Sequence, residues 1–168
     1  MTKAITKIGD IFSVNLDHSN KKYFQLIAFD LTQLNSDVIR AFKEIYPLNA
    51  NPDLSEIVNG KVEFCAHCVT KLGLKMNLWQ SVGNTTEIGS TRDILFRDTN
   101  DYGLKVGGKP INISNNWYVW RINDKDFTRV GKLEGENRTA EIGIVINPLG
   151  IIELLKGNRY PVNYPEFE

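Results

Sequence analysis

The chain has 168 residues, 42 % hydrophobic and 24 % charged, with twenty basic side chains balanced by twenty acidic ones. That length fits one domain, residues 1–168, which buries roughly 70 % of the surface its unfolded form exposes and needs no metal or disulfide staple to fold. Zero net charge argues against a nucleic-acid partner. No apolar run reaches the roughly 18 residues of a membrane span, and two cysteines make no disulfide framework.

The opening MTKAITKIGD has no apolar core of signal-peptide length, so the expectation is a cytoplasmic protein without a membrane partner. The sequons at Asn84, Asn112 and Asn137 then carry no glycosylation. Ile11–Leu16 reads as a short strand after a Gly9-Asp10 turn. Tyr23–Phe29 is a second, largely apolar strand, joined to the first across the polar loop Asp17–Lys21 as an antiparallel hairpin. Ser36–Tyr46 fits both a helical and a strand stripe, and strand is preferred. Pro52–Val58 is a short helix begun at Asn51-Pro52, followed by an Asn59-Gly60 turn. Lys61–Thr70 is a strand with Val62, Phe64, Ala66 and Cys68 on one face. Gly73–Gly89 is mixed, and Ile94-Leu95-Phe96 is a brief apolar run. Asp98–Pro110, rich in glycine and polar residues, is the expected mobile loop. Asn116–Asn123 is a strand with Trp117, Val119 and Arg121 on one face and Tyr118, Trp120 and Ile122 on the other. Phe127–Leu133 is its partner.

The clearest local pattern is Thr139–Gly157. Ile142, Ile144 and Ile146 alternate with Glu141, Gly143 and Val145, a period of two that makes a strand with one apolar face. Asn147-Pro148 ends it and opens a helix, because Asn caps and Pro tolerates the first helical position. Leu149, Ile151, Ile152, Leu154 and Leu155 follow at helical spacing, and Gly157 is placed to stop the helix. The tail Tyr160–Glu168 is expected to be extended. Together these elements predict an α+β fold: a mostly antiparallel, strongly bent sheet, one clear C-terminal helix and one short helix.

The motifs that resemble chemistry each fail a physical requirement. Cys65-Ala66-His67-Cys68 has redox or zinc spacing, but residues three apart on a strand point to opposite faces, and no second ligand pair completes a metal site. Gly103–Pro110 approaches a phosphate-binding loop but has proline where the magnesium-binding hydroxyl belongs. Asp98–Gly103 starts like a calcium loop, with Tyr102 and Lys109 at positions that need oxygen ligands. The reading is therefore no catalytic residues, no metal and no cofactor. Trp79 and one of Trp117 and Trp120 are expected in the core. Because the last two fall on opposite faces, one of them is expected to face outward as a partner contact.

Several stretches resemble the immunity protein 26 family of bacterial polymorphic toxin systems. They are Lys7–Val14, the aromatic strand around Tyr23-Phe24, Trp79 with Val82-Gly83, Trp117–Trp120, Glu141–Val145, and a helix ending Lys156-Gly157. The likeness covers about residues 7 to 160. Asn15 stands where the family typically reads proline. The resemblance implies a protein, not an enzyme, that binds and occludes a cognate protein toxin. Surface carboxylates would speed such an association, and the candidates are Asp93, Asp98 and Asp101, or Asp124 and Asp126, with Trp117 and Trp120. The alternatives are a small-molecule-binding β module and a small enzyme built from scattered residues such as His67 and Cys65. A deep pocket containing His67 beside a carboxylate would favour the enzyme.

Overall fold

The structure, a computed structural model, describes residues 4–168, so the first three residues of the N-terminal stretch lie outside it. The chain order is β1 (Asp10–Asn15), β2 (Asn20–Asp30), β3 (Ser36–Phe42), β4 (Tyr46–Pro47), α1 (Leu54–Val58), β5 (Val62–Cys68), α2 (Thr70–Lys75) and β6 (Gln80–Asn84). Then come β7 (Leu95–Thr99), β8 (Lys105–Val106), β9 (Lys109–Pro110), β10 (Trp117–Arg121), β11 (Thr128–Gly131), a 3-10 turn (Gly135–Thr139), β12 (Glu141–Ile142), β13 (Val145–Ile146) and α3 (Pro148–Leu155). The fold is α+β and mostly antiparallel, as predicted, with the strands divided between two main sheets.

The larger sheet runs β13-β5-β3-β2-β1-β6, with β4 also paired to β2. The smaller runs β11-β10-β7-β12, and β8 pairs with β9 alone. The β1–β2 hairpin is in the predicted place, with Phe12 opposite Phe24 and their rings 5.1 Å apart. Ser36–Phe42 is the strand preferred from the sequence. The ambiguity there had a physical source: the stripe Val38, Ile39, Phe42 serves either period, and pairing to β2 and β5 on both sides decides it. The predicted mobile loop 98–110 includes the end of β7 and the β8–β9 hairpin, whose turn places Gly107 and Gly108 at φ 59° and 78°. Positive φ at both central residues is the type I′ turn that matches strand twist.

Two features differ from the expectation. The predicted strand 139–147 is broken: β12 joins β7 in the smaller sheet and β13 joins β5 in the larger, both in parallel. Gly143 lies at the break, donating its N–H to Arg97 O at 2.8 Å and packing against the Trp120 ring. Helix α2 was not expected. It forms because Asp37 Oδ2 accepts from Thr70 N at 2.9 Å and from the Thr70 hydroxyl, holding its first turn. Gly73 gives the helix room to pass under the Trp79 ring, and Trp79 Nε1 donates to Thr70 O at 3.0 Å. The strand-to-helix junction before α3 is as predicted. Asn147 caps the helix by accepting from Gly150 N at 2.8 Å, and Gly157 ends it at φ 84°.

Apolar residues cover both faces of the larger sheet. One face carries Phe12, Phe24, Leu26, Ile39, Ala66, Cys68 and Trp79 under Ile151 and Leu155 of α3. The other face meets α1 at one end, through Ile11, Tyr23, Phe42 and Ile57. At the opposite end it meets the smaller sheet, where Ile27, Ala28, Val38 and Cys65 pack on Phe96 and Trp120. The far side of the smaller sheet is closed by Leu133, Ala140 and the C-terminal tail through Tyr164 and Phe167. No helix among the described residues is long and apolar enough to cross a membrane.

Candidate functional site

The C-x-x-C segment lies on β5 but forms its last four residues, not its middle, and its thiols are free and buried in different clusters. Burial pushes the Cys65 thiol up to about 11, and Cys68 is raised further for the same reason. Neither is a ready thiolate. His67 does find a carboxylate: its Nε2 lies 3.3 Å from Asp30 Oδ2, with both side chains fully buried. Asp30 Oδ1 also accepts from Thr32 N at 3.2 Å and from Thr32 Oγ1 at 3.1 Å. His67 stacks on Phe96 at 4.2 Å and lies below Trp120. Burial drives the imidazole pKa down to about 4 against the pull of Asp30, leaving it neutral near pH 7. A shallow cavity of about 100 Å³ has Asp30 in its lining, with Phe29, Leu31, Asn35, Ser36 and Asp37, but neither His67 nor Cys65. The pair thus has acid–base components, with His67 itself fully buried behind Asp30. Among the described residues no three His, Cys, Asp or Glu side chains converge as a metal set.

The expectation that one tryptophan of β10 faces outward is corrected. Trp117 and Trp120 do point to opposite faces, but each is only 1 % exposed. Trp120 is covered by the larger sheet and Trp117 by Leu133 and the tail. Neither side chain presents a surface to a partner.

The five carboxylates separate into two groups. Asp98 accepts from Tyr164 OH at 2.9 Å and Tyr118 OH at 3.3 Å, and burial raises its pKa above the ordinary value. Asp101 Oδ2 accepts from Ser114 Oγ at 2.7 Å and Asn116 Nδ2 at 3.1 Å. These two hold the loop and tail together. Asp93 is exposed and accepts from Ser90 Oγ at 3.2 Å. Asp124 Oδ2 closes the β10–β11 turn by accepting from Arg121 N at 2.7 Å. Asp126 is exposed and has no side-chain partner among the described residues.

Asp124 and Asp126 belong to a grooved end of the molecule. A cavity of about 410 Å³ is lined by Asn100, Tyr118, Asp126, Phe127 and Arg129. A second, of about 310 Å³, is lined by Ala28, Thr91, Arg92, Arg121, Ile122, Asn123 and Asp124. The hairpin tip that contributes to both is anchored. Asn123 Oδ1 accepts from Leu31 N at 2.8 Å, and Gln33 Nε2 donates to the carbonyls of Asp124 and Lys125 at 3.0 and 2.7 Å. Those bonds tie the turn to the β2–β3 connection of the larger sheet. Phe127 stands on the tip 41 % exposed, its ring 4.7 Å from Tyr118 and 4.8 Å from Trp120. Burial and Asp98 push the Tyr118 phenol up to about 12, so it stays a donor.

Sequence reasoning missed Phe127, Arg129 and Asn100. The available signal was the hairpin: once β10 and β11 pair, Tyr118 falls opposite Arg129, on the same face. The exposure of Phe127 and the approach of Asn100 from the end of β7 left no trace in local pattern. The same holds for Asp30 as the neighbour of His67. No protein-family model, curated protein or solved structure matches the chain.

Proposed function

We propose that this chain is a non-enzymatic immunity protein that binds a cognate protein toxin and occludes its active surface, using the anchored β10–β11 end. The observation that carries this reading is the exposed Phe127, beside the uncommitted Asp126, on a hairpin tip held in place from the larger sheet. A binder gains affinity when its contact residues are ordered beforehand. Exposed aromatic residues with flanking carboxylates supply both contact area and electrostatic steering. Asp93, Asp124 and Asp126 are the carboxylates placed to serve in this role, whereas Asp98 and Asp101 act through the loop they stabilise. The sealed position of His67 and Cys65 favours this reading over an enzyme built on them. The cavity beneath Phe127 favours, as a second reading, a β module for a small ligand.

The test is capture of a stoichiometric partner from native lysate on the tagged protein, followed by expression of that partner with and without this chain. Growth arrest by the partner alone, relieved by co-expression, is the expected result. A captured partner with no toxicity, or toxicity that co-expression leaves unchanged, overturns the proposal.

A further inference from the structure

The chemistry of the 410 Å³ cavity can be read from its walls. Tyr118 and Phe127 form an aromatic corner, their planes inclined by 52°. Both rings are fixed: Tyr118 by its hydrogen bond to Asp98, Phe127 by edge contact with Trp120. Arg129, opposite Tyr118 in the β10–β11 register, has no ion pair or side-chain hydrogen bond among the described residues. The side chains of Asp126 and Asn100 are uncommitted in the same sense. The cavity therefore offers two aromatic rings, one guanidinium, one carboxylate and one amide.

A guanidinium is drawn to the negative face of a π system, and tilted rings prefer a partner ring's positive edge. A planar aromatic guest satisfies all three walls at once. A cationic guest would gain Asp126 but meet repulsion from Arg129, and a bare carboxylate would gain Arg129 but meet repulsion from Asp126 and leave the aromatic corner unused. The volume lies within the range that encloses small ligands, and is large enough for one big side chain. The acceptors Asp126 and Asn100 at the rim suit a guest carrying an O–H or N–H. We infer that this cavity receives one tyrosine or tryptophan side chain from the protein partner, with the ring in the Tyr118–Phe127 corner beside Arg129. The inference rests on the partner-binding reading above and names the anchor that partner must supply.

The test needs no toxin. The isotope-labelled full chain is titrated, by amide NMR, with N-acetyl-tryptophanamide, with indole and with butylguanidinium. Expected is saturable binding of N-acetyl-tryptophanamide at about 1 mM, consistent with a small fragment, with shifts confined to residues around Asn100, Tyr118 and Phe127–Arg129. Phe127→Leu and Arg129→Gln should each weaken it about tenfold. The exposed Arg129 site serves as the check should the Phe127 variant disturb packing. Binding of indole but not of N-acetyl-tryptophanamide overturns docking in favour of a free small ligand. Preference for butylguanidinium, or shifts outside the cavity, overturns the aromatic anchor. None of these results depends on whether a toxin is captured, so failure of the anchor and failure of the immunity reading remain separable.

Discussion

Gly143 packs against the indole of Trp120, and a methyl group at its Cα would fall inside the ring's contact distance and within 2.9 Å of Arg97 O. Backbone freedom is not what requires glycine here; the lack of a side chain is. Gly143→Ala should cost about 1–3 kcal/mol, the range for overpacking a well-filled core. Chemical denaturation followed by tryptophan fluorescence measures it. The same change in a Trp120→Phe background should cost less, because the smaller ring vacates the contested space. Equal costs in the two backgrounds would refute the steric account.

Stability should fall on acidification from pH 6.5 towards pH 4. The folded state holds His67 neutral down to about 4, whereas the unfolded chain takes up a proton near the ordinary histidine value. Between those limits the unfolded state binds more protons, so stability rises with pH, by about 3 kcal/mol across the window. Asp98 and Glu141 act in the opposite sense. Burial raises both carboxyl groups, so the folded chain keeps their protons longer and gains stability as pH falls through their range. The His67 contribution is therefore read directly from its imidazole C–H resonance. An imidazole that titrates at or above 6.5 in the folded protein would show that Asp30 outweighs burial.

The C-terminal tail should loosen when Tyr164 loses its hydroxyl. Tyr164 OH donates to Asp98 Oδ1 at 2.9 Å, and its ring packs 6.0 Å from Trp117. Tyr164→Phe keeps the ring and removes the bond to a charged acceptor, a loss of about 1.5–3 kcal/mol. It should also raise the Asp98 pKa further, since that bond favours the ionised carboxylate. Limited proteolysis should then cut the tail sooner than in the parent chain. Unchanged cleavage together with unchanged stability would mean the bond contributes nothing net.

The two thiols should be silent in the folded protein. Both are buried, and burial raises both pKa values. At pH 8 an aromatic disulfide reagent should react with neither until urea unfolds the chain, after which two equivalents should react. Mild oxidation should not join them, because their side chains lie in separate core clusters. Rapid reaction of either thiol in native buffer would show that β5 opens locally.

Strands were legible where one side chain in two met a core that the neighbouring sequence also supplied. The β1–β2 hairpin and the Asn147-Pro148 entry to α3 are examples, since turn, cap and apolar stripe lie within a few residues of one another. The tryptophans of β10 show the limit of that logic. Alternation correctly put Trp117 and Trp120 on opposite faces, but alternation does not say whether a face is covered. Trp117 is roofed by Leu133, Ala140 and Tyr164, which follow later in the chain. Helix α2 was hidden for a similar reason. Its short turn depends on Asp37 from β3 and on Trp79 packing over Gly73, and neither contact has a local sequence mark. The grooved end combines both cases: the hairpin was predicted, while Asn100, which follows β7 and completes its cavity, was not.

The six residues from Glu141 to Ile146 supply the final strand of both main sheets, one pair of residues to each. A nascent chain leaving the ribosome therefore carries two open ladders, one along β5 and one along β7, until residues 141–146 have been made. Both are closed by a single local event, when this segment docks around Gly143. Unpaired ladders are templates for association with other chains. Truncation or a translational stall before Glu141 should leave an aggregation-prone product, and one only slightly longer, reaching past α3, should be able to cover both edges together.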